Sequence, residues 1–486
     1  MNAIAPILHF GKTRRNEPAL VAGARSINYG ELAEQIRRTA GRLRALGFQR
    51  GNRVGLCLRD TPDHIIVLLS VAHMGGVAVP LDWRARPTEN ARFIAALSLS
   101  CVLTEVGSQI PAGCPAIPLD PEWHRGLEQA NIDAEATAEW QDPFVISATS
   151  GSTGVPRFTV MTHLQYFFAT AGMFELMDLS GRHRFLCTLP LYYSGGRNSC
   201  LAHLLRGDCV VLYPSLFAPS EYFDQVRRQH ITVGALVPSS VRQFLADPGN
   251  ALTGLHALEK LFCTGAPLHP EEKREALRKL TPRFHERYGT AETMAISILR
   301  PSDIADRADS VGQPHSLAQI EIVDENDQPI PSGATGRLRV RSPGMGSPLP
   351  GQNDEEKFRG GWFYPGEIAH LDDEGYIFLS GRTSEIILRG GAKIYPAEVE
   401  RALLEHEGVI EAAVLGHSPA GKEEEVIAFV VPKEGLTPGE LLAHCRMRLT
   451  PHKVPRLIHF LLQLPRNTAG KIDKMALAGY LSQTGI

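Results

Sequence analysis

The stretch SATSGSTG at 147–154 sets five Ser or Thr side chains and two glycines within eight residues. Glycines let the backbone turn so that successive N–H groups face one anion, and the hydroxyls add donors without bulk. Chemistry of that kind grips phosphate. No Gly-Lys-Ser/Thr closes the loop, so it is not the common nucleotide P-loop, and by itself it reads better as a solvated Ser/Gly loop. Five further stretches follow in order: PLYYSGG (190–196), CTGAPL (263–268), RYGTAET (287–293), GWFYPGEIAHLDDEGYIFLSGR (361–382) and PRNTAGKIDK (465–474). Read singly, Tyr288 is core packing, Glu292 a helix-start carboxylate, Gly366-Glu367 a turn and Lys471 an exposed lysine. Their joint order gives them functional weight.

The elements that must position these residues follow from hydrophobic periodicity. Leu32, Ile36, Leu43 and Leu46 fall at helical spacing, and Gly47 stands where a C-terminal cap would. RVGLCL (53–58), VAVPLD, SCVLT (100–104), GDCVVLYP, ITVGALVP and LEKLFCTG read as strands, and DHIIVLLSVAHMG reads as a buried helix. Strand–helix alternation argues for a mostly parallel sheet covered on both faces. The 147–154 loop is expected to leave a strand (DPFVIS) and enter a helix (HLQYFFATAGMFELM), at the carboxyl edge of a sheet. After about residue 335 short strands and turns take over. Beyond Gly381 comes a distinct α+β unit, with strands EIIL, VIEAAVLG, VIAFVVP and LIHF and helices PAEVERALLEH and PGELLAHCRMRL. The expected fold class is α/β: a large N-terminal domain of layered α/β subdomains plus a short β-rich subdomain over 1–381, then a small α+β domain over 382–486.

A formal charge of −3 provides no electrostatic footprint for nucleic acid or an anionic membrane. The longest apolar stretch, IIVLLSVAHMGGVAVPL, contains His73, two glycines and a proline, so it does not read as a membrane span. Eight cysteines without a CxxC pair or metal spacing read as buried reduced thiols. The N-terminus places its apolar stretch before its basic residues, the reverse of a secretory signal. The expected location is the cytoplasm, as a monomer or homodimer.

In order and spacing the motifs resemble the adenylate-forming superfamily of acyl-CoA synthetases, peptide-synthetase adenylation domains and firefly luciferase, over residues 25–476. The resemblance implies that Thr149, Ser150, Gly151, Ser152, Thr153 and Gly154 close over the β- and γ-phosphates of ATP, backed by Arg157. It places Gly265, Ala266 and Pro267 beside the adenine, Tyr288 stacked on it, and Gly289 and Thr290 next in line. Glu292 would hold Mg²⁺ against the phosphates, a carboxylate being the right ligand for a hard cation. Glu367 and Arg382 match the pair at the ribose hydroxyls. Lys471 matches the lysine of a mobile C-terminal lid, reaching the substrate carboxylate and the α-phosphate. Tyr193, Gly196, Arg197, Asn198, Val237, Pro238 and Ser239 fall near the acyl pocket, Arg197 serving either the substrate or a surface or structural pair. In the family the lid then rotates about a hinge, here Ser384, and a loop corresponding to ILRGGAK, with Gly390 and Gly391, faces the thiol's entry.

Four departures bear on activity. Arg157 replaces the usual lysine, Ala291 a threonine, Glu367 an aspartate and Tyr193 the histidine of many acyl-CoA synthetases. No aspartate stands where amino-acid-activating domains hold the substrate ammonium, which disfavours a free α-amino acid. Tyr193, Asn198 and Ser239 suggest an aromatic or short acid. Three functions stay open: a ligase of a small carboxylic acid and CoA, a stand-alone enzyme loading the phosphopantetheine of an acyl or peptidyl carrier protein, and a nucleotide-binding homologue with weak or no turnover.

Overall fold

The computed structural model describes residues 2–109, 114–131, 137–149, 157–213, 218–247, 255–352, 354–389, 392–418, 424–466 and 472–484. The chain packs as two compact units, Met1–Gln319 with Arg341–Phe363, and Ile320–Val340 with Tyr364–Ile486.

The first unit carries two mixed sheets. In one, the parallel strands Pro18–Ala22, Cys209–Leu212, Arg184–Cys187, Val233–Leu236, Lys260–Cys263 and Phe284–Thr290 lie side by side in that order. Antiparallel strands Arg25–Asn28 and Met294–Leu299 flank them. The other sheet centres on the parallel strands Val77–Pro80, Arg53–Cys57 and Cys101–Thr104, and adds Pro143–Thr149 paired with Arg157–Thr162. Every residue of helix Pro62–His73 except Asp63 is buried, and its side chains share one apolar core with strands of both sheets. A helix covered on all sides needs no polar stripe, which is why its sequence is apolar throughout.

Local signals explain where elements begin. Helix Tyr29–Ala45 starts on a capping box: Asn28 Oδ1 accepts from the Glu31 amide at 2.8 Å, and the Asn28 amide donates to Glu31 Oε2 at 2.9 Å. It ends before Gly47, whose φ of +90° suits a glycine just past a helix. Leu32, Ile36 and Leu43 are fully buried as their spacing predicts, whereas Leu46 is 41% exposed because the helix has ended.

In the second unit, strands Gly336–Arg341, Glu367–Leu371 and Ile377–Arg382 pair antiparallel. A three-stranded sheet follows, Val409–His417, Glu425–Pro432 and Leu457–Phe460. Its alternate residues serve two cores, as a two-residue side-chain period requires. Val414, Ala428 and Val430 pack with Val399, Leu403 and Leu441, while Ala413, Ile427 and Phe429 pack with Leu477 and Leu481. The fold is thus a large α/β part with mixed sheets and a smaller C-terminal α+β part. Among the described residues no helix is long and apolar enough to cross a membrane.

Candidate active site

The carboxyl ends of the parallel strands Arg184–Cys187, Val233–Leu236, Lys260–Cys263 and Phe284–Thr290 emerge side by side, and each runs into one of the stretches singled out above. After the first comes PLYYSGG, then helix Ser194–Arg206. After the second come Val237, Pro238 and Ser239, with Pro238 as first residue of the buried-faced helix Pro238–Ala246. After the third come Gly265, Ala266 and Pro267, and the fourth ends in Tyr288, Gly289 and Thr290. The crevice beyond such strand ends is where open α/β sheets bind ligands. Two glycines are fixed by geometry. A Cβ on Gly196 would meet the carbonyl oxygens of Pro190 and Leu189 at 2.5 and 2.7 Å, and Gly265 has φ +103°.

Glu292 is 5% exposed and sits in the turn between strands Phe284–Thr290 and Met294–Leu299, not at the start of a helix. Its backbone amide donates to Thr290 Oγ1 at 3.2 Å, its carbonyl accepts from Gly346 at 2.7 Å, and its carboxylate lies 3.7 Å from Lys357 Nζ. Thr290 Oγ1 is thereby engaged with the turn, and also lies 3.1 Å from Thr293 Oγ1. Tyr288 is half-buried at the strand's end. No group of three or more His, Cys, Asp or Glu able to hold a metal is found among the described residues. A lone buried carboxylate fits Mg²⁺, which keeps waters and takes phosphate oxygens rather than an all-protein cage.

The hydroxyl loop leaves its strand as expected, but it does not run into a helix. Strand Arg157–Thr162 intervenes, with Thr149 opposite Arg157 in antiparallel register, and helix His163–Met177 starts after it on a Thr162–Gln165 capping box. The stretch thus connects two antiparallel neighbours. Pro143–Thr149 contributes the placement of Thr149, whereas Ser150, Gly151, Ser152, Thr153 and Gly154 lie outside the described residues. Arg157 is held at the start of its strand by Asp354, with Nη1 donating to Oδ1 at 2.6 Å, and Glu356 lies 3.6 Å from Nη2. Asp354 is 7% exposed, and neither it nor Lys357 was among the residues expected from sequence. The run FTVMT, rich in β-branched and aromatic residues, was the available signal for the missed strand.

Arg197 is neither at the surface nor in an ion pair among the described residues: it is 2% exposed on the first turn of helix Ser194–Arg206. Its Nη1 donates to the Tyr192 carbonyl at 3.1 Å and its Nη2 to Ser147 Oγ at 2.7 Å. Burial pushes its pKa down to about 10, which leaves it cationic at neutral pH. Asn198 is buried beside it and accepts from the Tyr166 hydroxyl at 3.2 Å. Tyr193, the residue capping this helix, is 39% exposed.

Glu367 and Arg382 lie in the second unit. They face each other in antiparallel register, with Arg382 Nε 3.4 Å from Glu367 Oε1. Ser384 is exposed in the short 3-10 turn Thr383–Glu385. Lys471, Gly390 and Gly391 lie outside the described residues.

Residues 9–348 match the family described as AMP-binding enzyme, and residues 398–471 match the AMP-binding enzyme C-terminal domain. The chain is 31% identical over 475 residues to an indoleacetate–CoA ligase of Aromatoleum aromaticum, covering 93% of this chain and 92% of that protein. It is 30% identical over 473 residues to a feruloyl-CoA synthase of an Amycolatopsis species, covering 93% of each. Among solved structures, an amide bond synthetase from Marinactinospora thermotolerans has a TM-score of 0.87 at 27% identity, covering 99% of this chain and 100% of that one.

Proposed function

The chain belongs to the AMP-binding enzymes that form acyl-adenylates, and from that premise we propose that it joins a small aromatic or short-chain carboxylic acid to the thiol of coenzyme A at the expense of ATP. A carboxylate oxygen attacks the α-phosphorus, forming the acyl–phosphate bond as the bond to pyrophosphate breaks. The thiol sulfur then attacks the acyl carbon, its proton passes to solvent, and AMP leaves. The observation that carries this reading is the convergence of 190–198, 237–239, 265–267 and 288–292 on the carboxyl edge of one sheet.

Two anions must meet in the first step, so the site has to supply cations and donors where charge accumulates. Arg157, oriented by Asp354, serves the outgoing pyrophosphate together with the hydroxyls of 149–154. Glu292 would hold Mg²⁺, whose charge offsets that of the triphosphate when bound. Tyr288 stacks on the adenine beside Gly265, Ala266 and Pro267, and Glu367 with Arg382 holds the ribose. Lys471 acts between carboxylate and α-phosphate. Residues 382–486 form the lid that turns about Ser384 between the two steps.

Both relatives named above are by name aromatic-acid:CoA enzymes, which supports CoA and an aromatic acid. The amide bond synthetase keeps a second acceptor, an amine, in play, and a carrier-protein phosphopantetheine is a third. Pyrophosphate release over a panel of carboxylic acids, followed by product analysis with CoA, a holo-carrier or an amine, separates them. The reading predicts acid-dependent release and a CoA thioester. Absence of release with every acid, despite ATP binding, would leave a nucleotide-binding protein without turnover.

A further inference from the structure

The stretch PLYYSGG follows a strand of one sheet of the first unit, yet it is held by residues from the other. Asp60 and Arg84 come after the carboxyl ends of the adjacent parallel strands Arg53–Cys57 and Val77–Pro80, and both reach this stretch. Asp60 Oδ1 accepts from the Leu191 amide at 2.6 Å. Arg84 Nη2 donates to the Tyr192 hydroxyl at 2.6 Å, and its guanidinium lies 5.2 Å from the centroid of the Tyr192 ring. The rings of Tyr192 and Tyr193 then meet edge to face, 6.4 Å between centroids. Leu191 is fully buried, whereas Tyr193 is exposed at the start of helix Ser194–Arg206.

A carboxylate drawn out of water is costly unless donors meet it. Burial pushes the Asp60 pKa up from the ordinary carboxylate range, and Asp82 adds to the push. The Leu191 amide, Arg84 and the Trp83 side chain pull it back. In such partly dry surroundings a charge-assisted bond is stronger than at the surface. The bond to Leu191 acts where the chain passes from the core toward Tyr193, so a shift of Leu191 is handed on through Tyr192 to Tyr193. We infer that Asp60 is a positioning residue for the acyl pocket: by fixing the Leu191 amide it sets where the Tyr192–Tyr193 pair stands, and so which acids are accepted. It acts through these tyrosines rather than on the acid. This rests on the acyl-adenylating function proposed above and names a residue that tunes its selectivity.

Three variants test this in the full chain. Asp60→Leu removes the acceptor, Asp60→Asn keeps an acceptor oxygen without the charge, and Asp60→Glu moves the carboxylate out by a methylene. Pyrophosphate release is measured with benzoate, phenylacetate, 4-hydroxycinnamate and butanoate, taking the KM for acid and for ATP separately. Asp60→Leu should change the ratio of kcat/KM between at least two of these acids by about tenfold, the scale of a charged hydrogen bond. The KM for ATP should stay close to wild type, and Asp60→Asn should keep the wild-type ranking. Amide hydrogen exchange over 190–196 should quicken in Asp60→Leu and not in Asp60→Asn. A loss shared in one proportion by all four acids would mark a merely structural residue and overturn the inference. A ranking altered equally in Asp60→Asn, or unchanged exchange over 190–196, also overturns it. Should Asp60→Leu fail to fold, Asp60→Glu decides in its place by the same shift of ranking. Absence of release with every acid in wild type overturns the acyl-adenylating function and the inference with it, whereas release with an unmoved ranking in the variants overturns the inference alone.

Discussion

At Arg157 the departure from lysine comes with its own support. A guanidinium is a planar fork, and Asp354 holds one arm of it at 2.6 Å from a site that is itself 7% exposed. We expect Arg157→Ala to raise the KM for ATP and slow acyl-AMP formation roughly tenfold or more, the worth of a charged hydrogen bond. Thioester formation from supplied acyl-AMP should change little. Asp354→Asn should shift the same step in the same direction, by less, because the cation stays while its orientation loosens. Lys471 is the sharper case. Removing one preorganised donor where charge develops costs roughly 10² to 10³ in rate, so Lys471→Ala should cripple acyl-AMP formation and spare thiolysis of pre-made acyl-AMP. Separate assays of the two half-reactions distinguish this from a structural lysine, whose loss would depress both.

Among the elements, the strand Phe284–Thr290 does the most positioning, since Tyr288 and the Glu292 turn both hang from it. It is anchored by Glu286, which accepts from the Leu268 amide at 3.1 Å and pairs with Lys273 at 2.5 Å, both side chains being 2% exposed. Lys273 Nζ also donates to the Ser310 carbonyl at 2.9 Å. Breaking a buried pair by removing one charge typically costs about 3–5 kcal/mol because the other is left uncompensated. Glu286→Gln should therefore lower the denaturation midpoint clearly, by urea titration, and Glu286→Gln with Lys273→Met should recover much of the loss. A double variant no more stable than the single one would mean that the Leu268 contact, rather than the ion pair, holds the strand.

For the whole molecule, the proposed two-step cycle asks the C-terminal part to turn between half-reactions. Ser384 lies exposed in a short 3-10 turn, a place where fixing φ disturbs no buried packing. Ser384→Pro should hinder the turn and depress thioester formation from acyl-AMP, with acyl-AMP formation itself retained if the chain is held in the adenylating state. That is the inverse of the pattern expected for Lys471→Ala. Were both half-reactions to keep wild-type rates in Ser384→Pro, the hinge would have to be placed elsewhere than at 381–384.

What the sequence determined by itself is what local pattern encodes. Apolar runs bounded by turn residues located the parallel strands and the buried helix Pro62–His73, and the order of the motifs at 190–196, 263–268 and 287–293 marked them as functional, while the structure brought them to one edge. Only the tertiary structure decided which distant groups those motifs meet. Arg157 and Asp354 are 197 positions apart, and Arg197 and Ser147 are 50 apart. No local periodicity carries such pairings, because they follow from how strands of one sheet and helices of another close over a common core. The same holds for the strand Arg157–Thr162: its run FTVMT carries a strand signal, but its antiparallel partner Pro143–Thr149 is supplied only by the tertiary structure. Burial is the clearest instance. Arginine is a surface residue by type, and nothing in SGGRNS distinguishes a solvated guanidinium from the buried one, bonded to Tyr192 and Ser147, that packing imposes on Arg197.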